Sequence, residues 1–217
     1  MKKETNKTLN IIGYDKKPIN NKLASRGNTD KVAILFPGIG YTCQMPVLYY
    51  ATAVLLDKGY DVLWVEYKYD KSVFSKQSTE ESLNWLNFDA EASYNAAMAE
   101  GKYKSVVLVG KSLGSFALAH LSKKGVDAKA VWLTPLLGRS GTVDIDFYNN
   151  VKESCKEGLF VIGTSDPLYS EEKVNELRQT ATVVTIDGAD HSLEIDGSPQ
   201  KSLEALGKMA EAISKFV

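Results

Sequence analysis

Short apolar runs rich in β-branched residues alternate with longer helical stretches along this chain, and that alternation restricts the fold more than any other feature. A strand covered on both faces reads as a continuous apolar run. Runs separated by helices pair in parallel, because the crossover returns the chain to the same end of the sheet. Lys31 to Phe36 (KVAILF) is such a run, stopped by Pro37-Gly38. Tyr60 to Tyr67, Lys104 to Val109, Ala128 to Leu133, Leu159 to Gly163 and Thr182 to Ile186 follow. Helices are predicted between them, over Met45 to Lys58, from the capping-box pair Ser78/Glu81 to Glu100, through Leu121, and from Glu171 to Thr180. The last helix opens at Ser198-Pro199 and carries Leu203, Leu206, Ala210, Ile213 and Phe216 at three- and four-residue steps, so one face is expected to pack on the sheet. At the other end, Thr8 to Tyr14 and Ile19 to Ser25, joined by Asp15-Lys16-Lys17-Pro18, predict an antiparallel edge hairpin within residues 1–30.

The 217 residues suit one α/β domain, expected to span 1–217. With 26 Lys plus Arg against 27 Asp plus Glu, the formal charge of −1 leaves no electrostatic footprint for nucleic acid or an anionic membrane, and neither is expected as a partner. Met1 to Asn10 has no apolar run after its early lysines, so no secretory leader is expected. Apolar stretches such as Met45 to Leu56 are far shorter than the roughly 20 residues that cross a bilayer. Cys43 and Cys155 form no CxxC pair, which suits a reducing, cytoplasmic setting, and with two histidines they do not build a structural zinc site.

The segment that carries chemistry is Val106 to Phe116, VVLVGKSLGSF, where an apolar strand turns into a helix through Gly110-Lys111-Ser112-Leu113-Gly114. In this G-x-S-x-G pattern the serine occupies a sharp, strained turn, and side chains two residues to either side would collide with neighbouring backbone. The turn lifts the Ser112 hydroxyl above the carboxyl end of the sheet and aims the Leu113 N–H at an oxyanion forming there. Gly110-Lys111-Ser112 is also the tail of a phosphate-binding loop, but that loop needs glycine where Ser105 stands, and its wrapping residues would be the strand Val106 to Val109 itself. Gly38-Ile39-Gly40 lacks the third glycine of a dinucleotide fingerprint, Cys43 occupying its place. No nucleotide, metal or organic cofactor is called for.

A serine hydroxyl needs an adjacent base, normally a histidine held by a carboxylate. His120 lies eight residues along the helix that Ser112 begins, about 12 Å down its axis at ~1.5 Å per residue, and is expected to be structural. His191 follows the strand Thr182 to Ile186 on a loop at the carboxyl edge of the sheet, the edge to which Ser112 points, and is the expected base. For the orienting carboxylate Asp166, at the carboxyl end of the neighbouring strand Leu159 to Gly163, is favoured over Asp190, because adjacent side chains in an extended loop diverge. Asp144 and Asp146 are weaker candidates. The second oxyanion donor is expected from Pro37-Gly38-Ile39-Gly40-Tyr41, with the Ile39 N–H first and Gly40 as fallback.

The chain order Ser112, Asp166, His191, each after a successive strand, resembles the α/β-hydrolase superfamily, and within it the small capless esterases, thioesterases and dienelactone-hydrolase-like proteins. The resemblance implies an eight-stranded, mostly parallel twisted sheet with helices on both faces and an antiparallel second strand. It also implies a lid position after the sixth strand, here 136–157. Those residues hold one short helix near Phe147 to Ser154, so a large cap is not expected. Tyr41, Leu136, Leu137, Phe147 and Tyr148 would then line the entrance, suited to a short acyl or alkyl group, or serve as plain packing. Pro37-Gly38 stands where many members have His-Gly, and Lys111 where many have histidine. Lys111 either brings a cation toward the substrate, favouring an acidic one, or turns to structural neighbours or solvent. The implied activity is acyl transfer from a small ester or thioester substrate to water. An inert hydrolase-like scaffold binding a small ligand or protein, and a peptidase with the same triad, are the alternatives.

Overall fold

The computed structural model describes residues 4–67, 76, 78–137, 145–154 and 158–217. They form a single-domain α/β fold around one eight-stranded sheet in the order β1-β2-β4-β3-β5-β6-β7-β8. The strands are β1 (Thr5–Lys7), β2 (Asn20–Ser25), β3 (Lys31–Phe36), β4 (Asp61–Glu66), β5 (Ser105–Lys111), β6 (Lys129–Leu133), β7 (Leu159–Gly163) and β8 (Thr182–Ile186). β2 runs antiparallel to both β1 and β4; every other neighbouring pair is parallel. Six helices connect them among the described residues: α1 (Pro46–Asp57), α2 (Thr79–Met98), α3 (Gly114–Lys123), α4 (Ile145–Ser154), α5 (Glu171–Leu177) and α6 (Pro199–Phe216).

The two-residue period of the strands divides the core. Val32, Ile34 and Phe36 of β3 join Val106 and Leu108 of β5 beneath α2 to α5, while Ala33 and Leu35 join Val107 and Val109 beneath α1 and α6. Both faces are therefore dry, which is why KVAILF and SVVLV carry no polar alternation. β5 lies between β3 and β6, so its carboxyl end opens at the middle of the sheet. Among the described residues no helix is long and apolar enough to cross a membrane.

Three local expectations need correction. The edge strand pairs Thr5–Lys7 with Leu23–Ser25, while the expected pairing of Thr8 to Tyr14 is reduced to an antiparallel bridge between Ile12 and Pro18, with Ile19 N–H donating to Ile11 O (2.9 Å) and Gly13 N–H to Lys17 O (2.8 Å). The buried Asn21 amide takes the place of ladder bonds there, accepting from Leu9 N–H at 2.8 Å and donating to the Leu9 and Ile19 carbonyls at 2.9 Å. A side chain that substitutes for backbone partners leaves no mark on the alternation pattern. The buried face of α6 is Ala205, Leu206, Met209 and Ile213, and Leu203 is 61% exposed. The apolar stripe is thus rotated, because α6 packs on α1 as well as on the sheet, with Met209 fully buried in the layer they share. In the connection 136–157, α4 starts at Ile145, two residues before the predicted start; residues 138–144 and 155–157, Asp144 and Cys155 among them, lie outside the described residues.

Candidate active site

Ser112 follows β5 directly and takes a left-handed conformation, φ +52°. A non-glycine residue held there costs about 1–3 kcal/mol, so its surroundings must over-determine it. They do. The Ser112 N–H donates to the Leu133 carbonyl of β6 at 3.0 Å, and its carbonyl accepts the Ser115 N–H at 2.9 Å as α3 begins. The flanking glycines allow the sharp turn: a Cβ on Gly114 would lie 2.0 Å from the Phe36 carbonyl oxygen, and one on Gly110 2.6 Å from the Gly114 carbonyl oxygen.

His191 reaches Ser112 from the loop after β8. That loop is tied to the one after β7 by Thr164 N–H to Ile186 O (3.0 Å) and Ser165 N–H to Ala189 O (2.9 Å). Asp190 braces it from within, its Oδ1 accepting the N–H of Ser192 (2.7 Å) and of Glu194 (2.9 Å). His191 Nδ1 lies 2.7 Å from Asp166 Oδ2, and its Nε2 lies 2.8 Å from Ser112 Oγ. The carboxylate can only accept, so Nδ1 carries the proton and Nε2 is left to accept the Ser112 hydroxyl hydrogen. The other Asp166 oxygen accepts the Leu168 N–H at 2.8 Å. The Asp166 side chain is fully buried while that of His191 is 30% exposed, so the pair is anchored inside and opens outward at the imidazole. His120 is elsewhere, its Nε2 2.6 Å from Glu91 Oε1 between α3 and α2.

The loop after β3 lies directly over the serine: a Cβ on Gly38 would come within 3.0 Å of Ser112 Cβ. The Ile39 and Leu113 N–H groups have no acceptor among the described residues. Three contacts not foreseen from sequence hold this loop. The Tyr67 hydroxyl donates to the Pro37 carbonyl at 2.9 Å, Cys43 N–H donates to Glu66 Oε1 at 2.9 Å, and Val47 N–H donates to the Tyr41 hydroxyl oxygen at 3.1 Å. Burial raises the Tyr67 phenol well above its ordinary range, which keeps it a donor.

The described pocket candidates are divided between the two core layers. Tyr41 is buried in the core layer under α1 and α6, whereas Leu137 and Tyr148 belong to the opposite layer, with Leu136 partly buried against it. The Tyr148 hydroxyl bonds the Lys173 carbonyl and Glu176 Oε2 on α5, both at 3.1 Å. The Phe147 side chain lies outside the described residues. Lys111 turns inward: only 3% of it is exposed and its Nζ stands 4.6 Å from the Tyr41 ring centroid. Burial pushes its ammonium down to about 8 against the opposing pull of Asp166 and Asp190. A cleft of about 1000 Å³ lined by Arg26, Lys31, Leu56, Lys58 and Asp61 opens at the amino ends of β3 and β4, the far end of the sheet from Ser112. Among the described residues no group of three or more His, Cys, Asp or Glu side chains is placed to hold a metal ion.

A mostly parallel sheet whose central strand β5 ends in a serine elbow, with aspartate delivered after β7 and histidine after β8, defines an α/β-hydrolase fold. Residues 29–217 match the alpha/beta hydrolase domain family, and the chain belongs to it. No curated protein sequence matches the chain. Among solved structures, the Pyrococcus furiosus esterase Pf2001 superposes with a TM-score of 0.71 at 16% identity, covering 98% of this chain and 93% of that one. Est1E from Butyrivibrio proteoclasticus gives 0.70 at 17% identity, with 97% of each chain covered. The lidless α/β serine hydrolase XC6422 of Xanthomonas campestris gives 0.65 at 16% identity, covering 100% of this chain and 96% of that one. At these identities the likeness is one of fold.

Proposed function

We propose that the protein is a serine hydrolase that cleaves a small ester or thioester by way of an acyl-enzyme. The observation that carries this reading is the unbroken relay Ser112 Oγ, His191 Nε2, His191 Nδ1, Asp166 Oδ2, with both links at 2.7–2.8 Å. Ser112 Oγ attacks the substrate carbonyl as His191 Nε2 takes its proton, and Asp166 holds the imidazole and stabilises the imidazolium that forms. The free N–H groups of Leu113 and Ile39 receive the negative oxygen; backbone donors serve there whether the loop reads Pro-Gly or His-Gly. The imidazolium then protonates the leaving alcohol or thiol, and water, activated by the same histidine, releases the acid. The elbow supports the reading independently, because a strained φ is retained at the one residue whose hydroxyl meets the imidazole. Small substrates are favoured by the short connection 136–157 and by the lidless relative.

The purified protein is expected to be labelled by a fluorophosphonate at Ser112, read by peptide mass spectrometry, with Ser112→Ala as the blank. Absence of label on the folded wild type ends this reading in favour of an inert scaffold. Asp166→Asn is expected to reduce kcat by about 10⁴-fold with KM little changed, because the amide no longer enforces the Nδ1–H tautomer. Steady-state kinetics on p-nitrophenyl esters of increasing chain length, beside acyl-CoA thioesters, measure both this loss and the preferred leaving group.

A further inference from the structure

Lys111 is spent in a way that the elbow motif does not require. The residue before a nucleophile can leave its side chain in solvent, yet this one carries a charge into the protein and is 3% exposed. Its stem passes beneath the oxyanion loop, Lys111 Cδ lying 3.5 Å from where a Gly38 Cβ would be, and its Nζ ends on the face of Tyr41 at 4.6 Å. The groups facing it come from three loops: Tyr41 after β3, Asp166 after β7 and Asp190 after β8, with Glu194 further along acting on Tyr41. The 37–41 loop carries Gly38 and a left-handed Gly40 (φ +67°), so its backbone needs outside restraint to hold one N–H direction.

We propose that Lys111 is a positioning residue of this site, a buried cation that clamps Tyr41, and through it the Ile39 N–H, over the Ser112 elbow. The proposal rests on the hydrolytic reading above, since a positioned donor matters only to a reaction that forms an oxyanion. The attraction between an ammonium and a ring face needs the positive charge, and a neutral amine keeps only the packing. With burial holding the group near pH 8, the clamp is closed at neutral pH and opens as the solution becomes alkaline. The sign for stability is opposite. A lysine whose proton affinity drops on folding makes the folded state bind fewer protons than the unfolded chain between pH 8 and 10.5, so the cost of its burial is full below that window and fades across it.

The test compares the wild type with Lys111→Met, which keeps the stem and removes the charge, and with Tyr41→Leu, which removes the ring. At pH 7 both variants are expected to lose about 10–100-fold in kcat on p-nitrophenyl acetate with KM within about twofold, the signature of a displaced transition-state donor. The wild type is expected to lose activity above about pH 8, and Lys111→Met to show no such alkaline limb. The melting temperature of Lys111→Met, measured against the wild type, is expected to fall progressively from pH 8 to 10.5. Amide hydrogen exchange of the 37–43 peptide at pH 7 is expected to be about tenfold faster in both variants, a readout independent of turnover. Unchanged exchange, or an alkaline limb that persists in Lys111→Met, overturns the clamp. A KM that rises only for an anionic substrate such as a succinate half-ester also overturns it, by making Lys111 a substrate contact. Failure of fluorophosphonate labelling in a wild type whose loop exchange responds as expected sinks the hydrolase reading and leaves the clamp standing.

Discussion

Ser112→Ala is expected to abolish ester hydrolysis, lowering kcat on the order of 10⁴–10⁶-fold while the fold survives. The hydroxyl oxygen makes the bond to the substrate carbonyl, and the described groups offer His191 no other hydroxyl at 2.8 Å. On the proposed reading its loss leaves the Leu113 and Ile39 N–H groups in place, so a residual rate above that in buffer is the expected remainder. Ser112→Gly sharpens the experiment. Glycine also removes the nucleophile, but it adopts φ +52° without strain, so this variant is expected to be more stable than the wild type by about 1 kcal/mol. Calorimetry beside the kinetic assay would then show activity lost and melting temperature raised by one substitution. If Ser112→Ala retains more than a few per cent of the activity, another group is the nucleophile.

Gly114→Ala is the change with the largest expected effect on stability. Its methyl would sit 2.0 Å from the Phe36 carbonyl oxygen and 2.8 Å from the carbonyl carbon. The obstacle is backbone at the end of a central strand, paired with β4 on one side and β5 on the other, so it cannot rotate away as a side chain would. Overpacking of this kind costs about 3 kcal/mol or more, visible as a lower denaturant midpoint. The damage has a direction as well as a size. Phe36 leads into Pro37 and the loop over Ser112, so displacing it by an ångström moves the Ile39 N–H, and about 100-fold in kcat is expected to go with it in whatever fraction stays folded. A Gly114→Ala protein with wild-type midpoint and rate would mean that β3 and α3 are not packed as described.

How much was legible in the chain depended on whether the signal was local. The β3, β5 and β7 runs are apolar throughout because each is covered on both faces, and their limits were read to within a residue or two. The Ser78/Glu81 box was equally plain, since both of its hydrogen bonds lie within one turn. The choice of Asp166 over Asp190 was made on direction, and the structure spends Asp190 on the backbone of its own loop. What failed was decided between elements. The Asn21 amide bonded to Leu9 and the rotation of α6 toward α1 depend on partners many residues away.

From its order of residues alone, this chain determined an alternating α/β architecture, a strand-to-helix serine turn and the order serine, aspartate, histidine at the carboxyl ends of β5, β7 and β8. These are properties of short segments, set by steric limits on the backbone and by the need to bury apolar runs. The tertiary structure decided the distances: that three side chains from three loops meet at hydrogen-bonding range, that Tyr67 and Glu66 restrain the loop over them, and that a lysine beside the serine is folded inward onto a tyrosine. Such contacts arise from how the sheet twists and which loops it brings to its central edge. Burial, which pushes the Lys111 ammonium down to about 8, exists only once the chain has closed around it.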